Sequence, residues 1–295
     1  MPSPCGGHAD RGAVGSSTDA RCPPDPSRSR RGGWYNQSVE SPRFPAVPPL
    51  AAWLAGVIDH EAYIGLAERL AWEVSEPGGR GPTLLLCELT PVITIGRLGS
   101  RTDVRFTDDE LRAWRLGVRF TGRGGGAILH GPGQVFASLV TPLDALGLGR
   151  HGVGPYIGRL EAGVAEALRT LGCEPRSVPG GGLGGRSGLL AAVTVAVRRG
   201  IASHGVFVNV CPALAAYRRI RTVTGAPTSA DPSGGMMGSV EADVRRRIRM
   251  PDARTALVRG IADAFGFSRT HVHAGFPLRV DAPARTPPEV LSRVG

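Results

Sequence analysis

No lysine occurs in this chain: all 35 residues counted as Lys+Arg are arginine. A side-chain amine for a Schiff base or for general-base duty is therefore excluded, because a guanidinium keeps its proton in water. Long apolar runs are missing too. No stretch of 18 apolar residues occurs, and the first 30 residues lack the apolar segment of a secretory signal, so no membrane association is expected and the expected compartment is the cytoplasm. Cysteines are few and odd in number: Cys5, Cys22, Cys87, Cys173 and Cys211, with no C-x-x-C pair. Neither a disulfide framework nor a zinc site is indicated, and no metal or cofactor is expected. Aromatic residues make up only 5% and are not interleaved with the arginines, so the net charge of +10 is not read as a nucleic-acid surface. An acidic protein partner fits that charge equally well.

What is present divides the 295 residues into three parts. Residues 1–45 are rich in Pro, Gly, Ser and Arg and read as a disordered arm. Residues 46–267 carry continuous helix and strand patterning without a linker, hence one domain, and 268–295 read as an irregular tail. Within the domain, "DHEAYIGLAERLAWEV" puts Tyr63, Leu66, Leu70 and Val74 on one helical face. "TLLLCEL" and "VITIG" read as strands. Thr107 with Glu110 is a capping box for a helix over 108–116. "YIGRLEAGVAEALRTLG" repeats the helical pattern with Leu160, Val164, Leu168 and Leu171 inward. Two apolar runs, 189–197 and 201–210, joined by "RRG" predict a hairpin, and 239–266 reads as helical. The fold class is α/β (α+β), with a mixed, largely antiparallel sheet flanked by helices.

Between two of these strands lies "FTGRGGGAILHGPGQVFASL". Glycine frees backbone N–H groups to approach a ligand, so "RGGG" beside an arginine can hold a phosphate, a carboxylate or a thioester carbonyl. A bare glycine run is equally a turn, and "GGGLGG" at 180–185 is read as one. "HGPGQ" is more specific, setting His130 on a rigid turn with Gln134 opening a strand.

The segment from Arg123 to Gln134, "RGGGAILHGPGQ", resembles the "RGGQ-x-T-Y-HGPGQ" signature of the octanoyltransferases of lipoate synthesis, which share the biotin/lipoate protein ligase-like catalytic domain. "ELTPVITIGR" is similar to the family's "EHPPVYTLGR", and "LLAAVTVAVRRGIASHGVFVNV" to its "KIAAIGVRVRRWVSYHGFALNV". The resemblance implies transfer of an octanoyl group from acyl carrier protein, through a cysteine thioester, to a lysine of a lipoyl domain. The acceptors would be 2-oxoacid dehydrogenases or the glycine cleavage H protein, and the enzyme a monomer. It implies binding positions at Arg123, Gly124, Gly125, Gly126, Ala127, Ile128, Leu129 and His130, at Ala192, Val193 and Thr194, and at Gly205, Val206 and Phe207, with Arg123 and the 124–126 amides facing the ligand.

The family's catalytic lysine falls on Leu189 and its cysteine on Val223. Neither side chain can do that chemistry, and no cysteine follows Cys211 in these residues. Two signature positions also differ, Gly126 and Leu129. Cys211, at the end of the strand after His204, is either a relocated nucleophile or a small strand-end residue. His130 and His204 are each either a general base or a structural hydrogen-bonding group. Two readings stay open: an octanoyltransferase-like protein of lipoate biosynthesis, or a non-catalytic pseudoenzyme binding the acyl carrier or the lipoyl domain. An ATP-dependent lipoate or biotin ligase is disfavoured, since those use a lysine near the activated carboxylate.

Overall fold

The computed structural model describes residues 47–149, 151–222 and 236–277. Residues 1–45, expected as an arm, and residues 223–235, with the family's cysteine position Val223, lie outside the described residues.

The chain enters the domain on a strand that the helix-first reading overlooked, β1 (Leu50–Ile58), whose apolar run "LAAWLAGVI" lacks the polar alternation of a half-exposed strand. Asp59 then caps α1 (His60–Ser75), its carboxylate accepting from the Ala62 N–H at 2.8 Å. The buried stripe of α1 is Tyr63, Ala67, Leu70 and Val74, with Leu66 only half-buried. Strands β2 (Thr83–Leu89) and β3 (Val92–Ile95) follow as expected. The capping box forms: Thr107 and Glu110 satisfy each other's backbone N–H at the start of α2 (Asp108–Ala113). Next come β4 (Gly117–Phe120), β5 (Ala127–His130), the long β6 (Gln134–Pro142) and α3 (Val153–Thr170).

Beyond α3 the structure corrects three expectations. The glycine run at 180–185 is not only a turn: after the short β7 (Arg176–Ser177), its second half is β8 (Gly182–Gly185). The expected hairpin does form: β9 (Gly188–Val193) pairs antiparallel with β12 (Gly205–Asn209) and, in the same register, β10 (Ala196–Arg198) pairs with β11 (Ile201–Ser203) around Arg199 and Gly200, both at positive φ, with one interruption at His204, φ 56°. After α4 (Leu214–Tyr217), the helical region 239–266 breaks into α5 (Val240–Val244) and α6 (Met250–Phe265), because Arg245 stands at φ 56°. The tail expected from 268 begins instead as a strand, β13 (Thr270–Ala274), parallel to β1.

The main sheet runs β13-β1-β2-β6-β12-β9-β8-β7, antiparallel except where β1 joins β2 and β13. Its period-2 alternation separates two cores. Leu84, Leu86, Val135, Ala137, Ala191, Val193, Val206 and Val208 face α3 and α6. Leu85, Cys87, Phe136, Leu189, Ala192 and Phe207 face α1 and the small sheet β4-β3-β5. On the first face, α3 and α6 approach closely at Gly163 and Gly260, where a methyl on Gly163 would stand 2.6 Å from the Gly260 carbonyl oxygen. On the second face the small sheet carries the glycine loop across the ends of β9 and β12.

Candidate functional site

The glycine loop is organised from within by its own arginine. The Arg123 side chain is 2% exposed and donates to the Thr94 carbonyl (2.9 Å), the Gly124 carbonyl (2.8 Å) and the Gly126 carbonyl (3.0 Å). Its Nε and Nη2 also donate to the Thr94 hydroxyl, at 3.1 and 2.6 Å. Arg123 therefore turns inward, where the resemblance had it facing a ligand. Burial lowers its pKa to about 9, still charged at neutral pH.

From Thr94 the bonds run in one direction. Its hydroxyl accepts twice from a guanidinium, so its own proton goes to Nε2 of His130 at 2.7 Å. The Nδ1–H of His130 donates to Oε1 of Gln134 at 2.8 Å. Gln134 Nε2 donates to Oδ1 of Asn209 at 2.9 Å and to the Leu129 carbonyl at 3.3 Å. Asn209 Nδ2 closes the chain on the Leu189 carbonyl at 3.3 Å. Loop, turn and the strand carrying the family's lysine position are thus one buried polar unit. Both nitrogens of His130 are committed. Burial first, and then the Arg123 charge, hold its pKa well below the usual histidine value, so the ring is neutral and structural rather than a free base.

The "HGPGQ" turn is clamped from outside. Gly133 N–H donates to Oε2 of Glu88 at 2.9 Å, and the Gly133 carbonyl accepts from Val210 and Cys211 at 3.0 and 2.9 Å. Glu88 is held in turn by Arg254 at 2.6 Å. Gly133 stands at φ 86°, and a methyl there would lie 2.6 Å from the Cys211 carbonyl oxygen, so both sterics and backbone require glycine.

The three segments implied by the resemblance do meet. Ala192 pairs with Phe207 and Val193 with Val206 across β9–β12. Thr194 N–H donates to the Gly205 carbonyl at 2.7 Å, and Gly124 N–H to the Val195 carbonyl at 3.2 Å. His130 packs against Phe207 with ring centroids 4.2 Å apart. Gly125 and Gly126 donate none of the loop's backbone bonds. Leu189 is 3% exposed, inside the apolar cluster, and its N–H and carbonyl bond to Met236 and Gly238 at 2.8 and 3.0 Å.

The substitutes fare differently. Cys211 is exposed, beside Met250, and the acidic Glu241 and Glu88 add to desolvation in raising its thiol pKa. It bonds to neither histidine, and its surroundings disfavour a thiolate. His204, at φ 56°, has Nδ1 2.9 Å from the Tyr63 hydroxyl, and burial, with Arg123 next, lowers its pKa to about 4. It lines a cleft of about 700 Å³ between α1, β4 and the β10–β11 hairpin, with Trp72, Phe120 and Arg198. Cys87 lies in the core, at 0% exposure. Cys173 is buried as well, at 2% exposure. Thr94, Glu88 and Asn209 were overlooked in the sequence, although each is a polar residue within or ending an apolar strand.

A mixed sheet with a glycine loop laid over its strand ends is the fold of the lipoate-protein ligases. Superposition on lipoate-protein ligase A bound with ATP gives a TM-score of 0.59 at 17% identity over 76% of this chain and 88% of that one. A bipartite lipoate protein ligase of Thermoplasma acidophilum gives 0.59 at 16% identity, over 77% and 87%. Residues 62–262 match the lipoyl protein ligase A/B catalytic domain, and the chain belongs to that family. Within it, this chain is similar to octanoyltransferases. It is 36% identical to that of Geobacter sp. (strain M21) over 56% of this chain and 76% of the relative, and 31% identical to that of Geobacter sulfurreducens over 71% and 81%. It is 33% identical to a mitochondrial octanoyl-[acyl-carrier-protein]:protein N-octanoyltransferase of Xenopus tropicalis, over 56% and 68%.

Proposed function

We propose that this chain is an octanoyltransferase-like protein of lipoate biosynthesis that engages octanoyl-loaded acyl carrier protein and a lipoyl domain as a binding module rather than as a turnover enzyme. One observation supports this most directly: the polar chain from Arg123 through His130 to the Leu189 carbonyl keeps the acyl-binding frame rigid, while the side chain at the lysine position is a buried leucine. Of the binding segments that the resemblance implies, Ala127, Ile128, Leu129, Ala192 and Phe207 share one apolar cluster, which suits a medium-length hydrocarbon, worth roughly 0.8 kcal/mol per buried methylene. The net charge of +10 suits acidic carriers.

The competing reading, transfer through a relocated thiol, has Cys211 as its candidate, and the acidic surroundings of that thiol count against it. The test is to incubate the chain with octanoyl-acyl carrier protein and an apo lipoyl domain, follow the mass of the lipoyl domain, and measure carrier binding in parallel. Binding of the loaded carrier without a mass gain is expected. An octanoyl gain that disappears in Cys211→Ala would overturn the binding-module reading, and absence of carrier binding would overturn the acyl-carrier assignment itself.

A further inference from the structure

The cleft of about 700 Å³ beside His204 borders the acyl frame without being part of it. Gly122, which precedes Arg123, and His204, which precedes Gly205, both line it, while Arg123, Thr94, His130, Gln134 and Asn209 do not. One long wall is α1. Ile64, Ala67, Ala71 and Trp72 turn apolar side chains to the cleft, and from Ile64 to Trp72 the helix runs roughly 12 Å at about 1.5 Å per residue. The other walls add Ile201 of β11 and Phe120 at the end of β4. Trp72 is 52% and Phe120 71% exposed, and two large aromatic side chains left open to water in one concave surface mark a place where apolar matter binds.

One end of the cleft gathers donors that lack an acceptor. The Ser138 hydroxyl donates to the His204 carbonyl at 3.1 Å. The Tyr63 hydroxyl, 2.9 Å from Nδ1 of His204 and 3.3 Å from the Ser138 oxygen, gives its proton to the nearer nitrogen. Neutral His204 therefore carries its own proton on Nε2, which has no partner among the described residues. His60 is only 12% exposed, and its buried Nδ1 makes no hydrogen bond, the Glu61 carboxylate being 3.8 Å away. The Arg198 guanidinium lies over Gly122, where a methyl would stand 2.8 Å from Nη2, and it too has no acceptor among the described residues. After burial and Arg123, it is His60 and Arg198 that hold down the His204 pKa, so the three donors share one end. Arg119 is already paired with Glu61 at 3.0 Å. Glu68, the other carboxylate of the cleft, stands roughly 12 Å along α1 from His60 at about 1.5 Å per residue, beside the apolar wall rather than among the donors.

We propose that this cleft is a second ligand site, which takes a medium-chain carboxylate. The anionic head accepts from Arg198, His204 and His60, and the hydrocarbon lies along Ile64, Ala67, Ala71 and Trp72. A carboxylate has two oxygens and lone pairs for all three donors, and its bond to a guanidinium is charge-assisted. The site stands apart from the octanoyltransferase-like reading, since no residue of the polar chain contributes to it.

Calorimetric titration of the full chain with octanoate, octan-1-ol and acetate tests head and tail separately. Octanoate is expected to bind about 10-fold more tightly than octan-1-ol, the scale of a charge-assisted hydrogen bond, and acetate, which has no tail, not to saturate. Arg198→Gln should weaken octanoate about 10-fold and leave octan-1-ol unchanged, which also shows the variant to be folded. Trp72→Ala should weaken both. Arg245→Gln, which removes the same charge outside the cleft, should change neither, and S-octanoyl-pantetheine should not displace octanoate. The site would be overturned by any of four results: no saturable octanoate binding, equal affinity for octanoate and octan-1-ol, equal effects of the two arginine variants, or displacement by S-octanoyl-pantetheine, which would put the carboxylate in the acyl frame instead.

Discussion

Removing the Thr94 hydroxyl is the sharpest test of the polar chain. Thr94→Val keeps the shape and the β-branched fit to β3 but takes away the atom that links Arg123 to His130. Arg123 loses two of its five hydrogen bonds, those at 3.1 and 2.6 Å, and bonds to a charged group contribute about 1.5–3 kcal/mol. His130 is left with a bare Nε2 in a site where it is 1% exposed, adding about 1–3 kcal/mol for an unsatisfied buried acceptor. Since water partly relaxes into such sites, the expected total is about 3–5 kcal/mol, a large share of a domain's stability. Urea unfolding at pH 7.5 followed by circular dichroism measures it. A double-mutant cycle with Gln134→Leu should show a coupling of at least about 0.5 kcal/mol, because both residues act through His130. A loss under about 1 kcal/mol, additive with Gln134→Leu, would mean that the guanidinium is solvated independently and that the loop and the Leu189 strand are not one unit.

Two further outcomes follow from the same site. His130 and His204 are both held below the ordinary histidine value, His204 at about 4, so above about pH 7.5 folded and unfolded states are both essentially unprotonated and stability is level. Below it the unfolded chain gains protons that the folded one refuses, and stability should fall by about 2–3 kcal/mol by pH 5.5 for the two together; a flat profile from pH 7.5 to 5.5 would show that the rings are not buried neutral. Placing the family's amine by Leu189→Lys should cost about 3–5 kcal/mol at pH 7, because the side chain enters an apolar cluster. That loss should shrink as pH rises toward the lysine value near 10, where the unfolded amine also loses its proton. No octanoyl transfer should appear in the mass assay, and wild-type stability at pH 7 would place residue 189 outside the core.

Local signals were legible where they are written in neighbouring residues. Thr107 and Glu110 announced their capping box, and the apolar spacing of α3 named Leu160, Val164, Leu168 and Leu171, all now buried. Strands β1 and β13 went unread for a non-local reason: each is stabilised by pairing with the other across more than 200 residues, and a short apolar run does not announce its partner. The glycines of β8 read as a turn because glycine is scarce in strands on propensity alone. Their pairing with β9 overrides it. The functional frame divides the same way. "RGGG" and "HGPGQ" were visible as motifs, yet the role of Arg123 was misplaced, because whether a guanidinium faces a ligand or its own loop depends on Thr94, 29 residues away. Thr94, Gln134 and Asn209 share one mark that a sequence does carry, a polar side chain inside an apolar strand, which costs free energy unless it is paired. Taken as demands for partners, such residues would have pointed to the polar chain before any coordinates.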